Sequence, residues 1–313
     1  MEQAKPCPKD TGRGKNGGGR TLTIVPYLRH LPPNETVEHV LERFQAEAVR
    51  YPERHKQLLA VRWYLHYSIV NCERRWDDAH KGITNYKTLL DQIESTRKPK
   101  QRVCLVTFNY DTMLDPAMPT VGLTIRGLKD YIAGAEYMLV KVHGSVNWAH
   151  EVESPDFGHL DQDPDRFIQV MIEQAPELKL GQNFHYTAQL PIFSSKDSKV
   201  VIPALAIPVE TKTDSSFECP TDHLETLRAF LPEVKKILII GWRGTEAHFL
   251  KLLKDNLTRA VAVPTMVIAG NKEQAESIAQ TINREAIPIK SEKAEGGFTD
   301  FILRKQGEEF LKD

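Results

Sequence analysis

The chain has 313 residues, of which 41% are hydrophobic and 27% charged, and its 41 basic and 42 acidic side chains leave a formal net charge of −1. Such values suit a globular chain with one core and one insert, and a near-neutral balance makes nucleic acid and anionic membrane poor partners. Nothing approaches the roughly 20 apolar residues of a membrane span, no basic-then-apolar leader opens the chain, and Cys7, Cys72, Cys104 and Cys219 form no C-x-x-C pair, which excludes a zinc ribbon and reads as reduced cytoplasmic thiols.

Residues 1–33 are expected to be a flexible tail, because Gly12, Gly14, Gly17, Gly18 and Gly19 lie among Lys and Arg with little to bury. Inside it, T-L-T-I-V-P-Y at 21–27 has the composition of a short strand. Helical periodicity begins near Asn34, with Val37, Val40, Leu41, Phe44 and Ala48 on one face and Asn34 or Thr36 as the cap. A long second helix over 53–76 steps through Leu58, Val61, Leu65, Ile69, Cys72 and Trp76, and a third carries Tyr86, Leu89, Leu90 and Ile93 before Pro99 ends it. Together these make a helical segment at 34–98.

From Arg102 the pattern changes to short apolar runs at 103–108, 137–142, 200–202, 237–240 and 265–269, which read as buried strands. Amphipathic segments at 222–234, 245–256 and 272–283 alternate with them. The alternation predicts a Rossmann-like α/β domain over 34–313, with a mostly parallel sheet and helices on both faces. Residues 150–198, broken by Pro155, Pro164, Pro176 and Pro191, read as an irregular insertion.

Ligands of an open parallel sheet sit beyond the carboxyl ends of its strands. Three polar loops occupy such places: T-F-N-Y-D at 107–111, H-G-S-V-N-W at 143–148, and G-W-R-G at 241–244. In this order, each after an apolar run, they resemble the sirtuin-like (silent-information-regulator-like) family, especially its bacterial branch of NAD-consuming anti-phage proteins. The similarity covers roughly residues 37 to 311, with the three loops as its specific part.

The resemblance implies an NAD glycohydrolase that releases nicotinamide. His143 would be the proton acceptor, Asn109 would orient a ribose hydroxyl or the attacking water, and Asp111 would fix the nicotinamide end or its own loop. Thr107, Phe108, Gly144, Ser145 and Gly241 would line the nucleotide site, with Trp242 and Arg243 stacking on a base or pairing with phosphate. Gly270 and Asn271, at the end of the 265–269 strand, would border the adenosine half. Each residue also has a plainer reading: His143 as a packing histidine, Asn109 as a turn residue, Asp111 and Asn271 as helix caps, and Arg243 as a solvated charge.

NAD or a related nucleotide is therefore the implied ligand, no zinc is expected, and a homo-oligomer or a partner protein of a defence system is the implied assembly. One family feature is not found: a strand leading into a glycine-rich phosphate cradle. The glycines at 12–19 follow no apolar run. Either the chain is truncated at its start, or the domain is a catalytically degenerate nucleotide-sensing or interaction module; the missing cysteine pairs argue against lysine deacylation.

Overall fold

A computed structural model describes residues 31–32, 34–80, 84–153, 163–187, 190, 200–209, 217–257 and 261–312. The segment 21–27, the glycines at 12–19 and much of the expected insertion lie outside them. The fold is mixed α/β and Rossmann-like, with parallel sheets flanked by helices.

Three helices come first. Helix α1 (Val37–Ala48) starts where Thr36 Oγ1 accepts the His39 amide at 3.1 Å, and it buries Val40, Leu41, Phe44 and Ala48, the face expected from the sequence. Helix α2 (Pro52–His80) has proline at its first position, where no amide is needed. Helix α3 (Asn85–Thr96) is capped by Thr84 and buries Leu89, Leu90 and Ile93.

Strand β1 (Val103–Thr107) pairs in parallel with β2 (Tyr137–Lys141), Val103 lying opposite Tyr137 and Thr107 opposite Lys141. A 3₁₀ segment (Asp115–Val121) and the short helix α4 (Asp130–Ala133) connect them. Every residue of β2 is buried, as a strand covered on both faces requires.

The expected insertion is not irregular where it is described. Strand β3 (Gly144–Glu153), helix α5 (Pro164–Glu173) and strand β4 (Lys179–Tyr186) precede β5 (Val201–Leu205), and the three strands form an antiparallel sheet in the order β4-β3-β5. The apolar run at 200–202 therefore belongs to this sheet and not to the parallel one. Its composition is that of a strand buried on both faces, which says nothing about the direction of its neighbour.

Helix α6 (Thr221–Phe230) leads to the second parallel sheet, β6 (Ile237–Ile240), β7 (Val263–Ile268) and β8 (Ile289–Ala294) in that order, with α7 (Ala247–Asn256) and α8 (Lys272–Glu285) as crossovers. Helices α9 (Gly297–Leu303) and α10 (Glu308–Lys312) close the described chain. One cluster of buried side chains joins α3, β2, α9 and α10, and a second joins β2, α6, α7, β7 and α8. No helix among the described residues is long and apolar enough to cross a membrane.

One histidine of α2 reports on its own burial. His66 is 4% exposed, with its ring edge-on to Trp63 at 6.1 Å and to Tyr67 at 5.4 Å. Burial, assisted by the Arg74 charge, lowers its pKa to about 4. A histidine whose folded value lies below its unfolded one contributes stability that is complete above the unfolded pKa and is lost as pH falls towards the folded value. Between pH 6.5 and 4 the native chain should lose about 3 kcal/mol on this account. Urea unfolding midpoints measured across that range should fall less steeply in His66→Phe, which keeps the ring packing; parallel slopes in the two proteins would contradict the assignment.

Candidate functional site

Strands β1 and β2 deliver their loops to the same sheet edge. After β1 the chain turns at Thr107, whose Oγ1 accepts the Asn109 amide at 3.1 Å, so the Asn109 side chain projects outward and donates from Nδ2 to the Tyr86 hydroxyl at 3.3 Å. After β2, the Val142 amide donates to Thr107 O at 3.2 Å and the Val146 amide to Tyr110 O at 2.9 Å, which clasps the two loops along their backbones. His143 sits in that clasp.

A groove of about 1880 Å³ runs along β1 and β6 and opens at this edge. Thr107, Phe108, Asn109, His143, Gly241, Trp242 and Arg243 all line it, so seven of the residues singled out from the sequence meet at one place. The His143 ring is 4% exposed and is ringed by Phe108 at 5.1 Å, Tyr110 at 6.3 Å and His248 at 5.8 Å. Phe108 in turn lies flat on Trp242, with centroids 5.2 Å apart and planes 4° from parallel. Trp242 Nε1 donates to the Glu246 carboxylate, which fixes the indole edge.

Gly241 and Gly244 both adopt left-handed backbone, with φ of 65° and 70°. That conformation is costly for any residue with a Cβ, so the G-W-R-G turn between β6 and α7 needs both glycines. Nothing lies within 4 Å of the place a Gly241 Cβ would occupy. There the backbone is left accessible from the groove.

The remaining residues face elsewhere. Asp111 Oδ1 accepts the Met113 amide at 3.0 Å, a local turn that orders the loop. Gly144 and Ser145 are buried; a Cβ on Gly144 would meet Ala204 O at 1.9 Å, so this glycine permits β5 to approach. Asn271 caps α8, its Oδ1 accepting the Gln274 amide at 2.8 Å, and Gly270 accepts from the Gly296 amide at 3.4 Å. Neither Gly270 nor Asn271 lines the groove. Trp148 is fully buried, with Tyr131 and His223 against it, and is a wall of the core.

Beneath the groove lies a polar cluster that sequence reasoning missed. Lys141 is wholly buried, and its Nζ donates to Asp111 O at 2.6 Å, Ser145 Oγ at 2.7 Å and Asp115 Oδ2 at 3.1 Å. An ammonium has three N–H bonds, and all three are used. Asp115 also accepts from the Tyr131 hydroxyl and from Asn147 Nδ2 at 3.4 Å, and burial followed by the Asp115 charge pushes the Tyr131 phenol well up. From below, Glu73 of α2 takes the Thr112 amide. Burial raises that carboxyl above its ordinary value, with the Thr112 hydrogen bonds opposing.

The signal for Lys141 was present in Y-M-L-V-K, a charge ending a run otherwise apolar on both faces. Tyr86 and Glu73 gave none, because helix periodicity places them without saying which strand end they reach. Among the described residues no group of three or more His, Cys, Asp or Glu side chains is placed to hold a metal ion.

No protein-family model matches the sequence, and no curated protein is significantly similar to it.

The Lys141 cluster sets a stability prediction. Lys141→Met leaves the Asp115 carboxylate buried without its cation and should cost about 3–5 kcal/mol. Adding Asp115→Asn, which keeps acceptors for Tyr131 and removes the charge, should recover part of that loss in chemical denaturation. A double variant less stable than Lys141→Met would show that the pair is not the source of the cost.

Proposed function

We propose that the chain binds NAD at the β1, β2 and β6 strand ends and hydrolyses its bond to nicotinamide. What carries this reading is the convergence of Asn109 and His143 on one groove at the carboxyl edge of a parallel sheet, where nucleotides bind open α/β sheets. The resemblance of the three loops to the sirtuin-like family supplies the substrate; the fold alone does not.

The chemistry asks little of the protein beyond placement. The bond from the ribose anomeric carbon to the pyridinium nitrogen breaks, its electron pair neutralises the nicotinamide ring, and a water oxygen bonds to the carbon. That water, or a ribose hydroxyl assisting it, must lose a proton, and the imidazole of His143 is the acceptor assigned to it. Asn109 offers both donor and acceptor to hold the sugar or the water. The Gly241–Gly244 turn, bare at its first glycine and with exposed Arg243 beside it, is the place for phosphate charge. Phe108 and Trp242 provide an apolar wall that keeps bulk water from the oxocarbenium-like carbon.

A second reading has its own support. His143 is so enclosed by Phe108, Tyr110 and His248 that its imidazole has little groove-facing surface, which favours a module that binds nucleotide without turning it over. The family resemblance further suggests a cytoplasmic role in anti-phage defence, acting as a homo-oligomer or with a partner protein.

Incubating the purified chain with NAD and following nicotinamide by chromatography separates the two. The hydrolase should release nicotinamide, with His143→Ala reducing the rate about 10²–10⁴-fold, the usual worth of a general base. Asn109→Ala should be slowed as well, and Asn271→Ala should match the wild type. Background release from the wild type, combined with quenching of Trp242 fluorescence by NAD, selects the binding module. Neither release nor binding rejects both.

A further inference from the structure

The two parallel sheets face each other across the groove. Among the described residues β1 pairs only with β2, and β6 only with β7. Every residue of β1 and of β6 lines the groove, and so do Leu90 and Ile93 of α3 on one side and Leu227 and Phe230 of α6 on another. The two edges run in the same direction: Arg102, before β1, pairs with Glu233, before β6, at 3.5 Å, and Phe108, after β1, stacks on Trp242, after β6. Side chains thus span the groove at both ends. Strands separated by one intervening strand lie about 10 Å apart, a distance such pairs reach.

Backbone polarity points the same way. The Val103 amide donates to Glu136 O and Thr107 O accepts from Val142, so odd-numbered residues of β1 turn their peptide groups towards β2. The Gly241 amide donates to Ile268 O, so odd-numbered residues of β6 turn towards β7. Cys104 and Val106, with Leu238 and Ile240, therefore direct their N–H and C=O groups into the groove. Their apolar side chains are half-buried, whereas all of β2 and all but Pro264 of β7 are buried. A parallel strand bonded to both edges would complete one continuous sheet.

We infer that residues 21–25 of this chain, T-L-T-I-V, are that strand, giving the order β2, β1, inserted strand, β6, β7, β8. Four of the five residues are β-branched, the composition that packs best in a sheet covered on both faces. The length matches the five residues of β1. A five-residue strand fills about 800 Å³ at ordinary strand and sheet spacings, well within the groove, and leaves its upper end for a ligand. The path of the chain also fits. A strand parallel to β1 ends at the edge holding Asn109 and His143, and there Thr36 and Glu38 of the α1 start line the groove, while Leu31 packs against the α1 and α2 cluster. Residues 26–30 bridge from one to the other within the reach of extended chain. The inference does not depend on NAD being the ligand.

Amide hydrogen exchange on the full chain tests it at residue level. Residues 22–25 should exchange at least about 100-fold more slowly than unstructured peptide, together with Cys104, Val106, Leu238 and Ile240. Thr23→Pro removes one ladder donor, and should release these amides while the β7 and β8 pairing keeps its protection. Exchange of residues 22–25 at the unstructured rate beside a protected β2 and β7 would overturn the proposal. So would unchanged protection of β1 and β6 in Thr23→Pro, or protection that appears only as the chain dimerises, which would assign the edges to a second copy.

Discussion

The burial of the Lys141 ammonium is the constraint around which this sheet edge is arranged. A cation with no access to water must meet acceptors on all its N–H bonds, and those acceptors come from three separate pieces of chain: the loop after β1, the 3₁₀ segment and the start of β3. None of the three can shift without stranding the charge. The ion pair is a poor source of net stability, since hydrophobic side chains of equal volume would cost less to bury. What it supplies is geometry, because a network of this kind is satisfied in one arrangement only.

That arrangement divides the conspicuous polar residues into two groups. Asn109 and His143 are turned to the groove, and Asp111 and Ser145 are turned below it, where they hold the loops that carry the first pair. The H-G-S run shows the division within three residues: His143 lines the groove, Gly144 lets β5 pass, and Ser145 closes the Lys141 shell. The stacked Phe108 and Trp242 tie the β1 and β6 ends together, so the third loop is placed by ring packing and not by hydrogen bonds.

Much of this was legible in the sequence, and the limits have physical causes. Apolar periodicity located α1 to α3 and the buried strands because burial is what it records; it also found the N-terminal cap at Thr36. It did not find β3, whose G-S-V-N-W-A-H-E-V-E mixes polar with apolar residues, or β4, K-L-G-Q-N-F-H-Y, which is largely exposed on both faces. It did not reveal that β5 runs antiparallel to β3, because strand direction is decided by connections. The convergence of the three loops was readable from the rule that strand ends gather at one edge. Which of their side chains reach the groove was not, since that depends on tertiary partners such as Lys141 and Tyr86 that no local pattern names.

Helix α2 gives the molecule a mechanical property. Its 29 residues make a rod about 44 Å long. Near its start, Leu59 and Trp63 are wedged among Val152, Phe167 and Met171 of the antiparallel lobe, and further along Arg62 reaches Glu218 at 3.6 Å. Two turns on, Glu73 grips the Thr112 amide next to the Asn109 loop. A helix transmits axial displacement with little compression, so a load applied to the lobe arrives at Thr112 as a shift of one hydrogen bond. The lobe is in this sense the handle of a lever whose tip bears on the loop after β1.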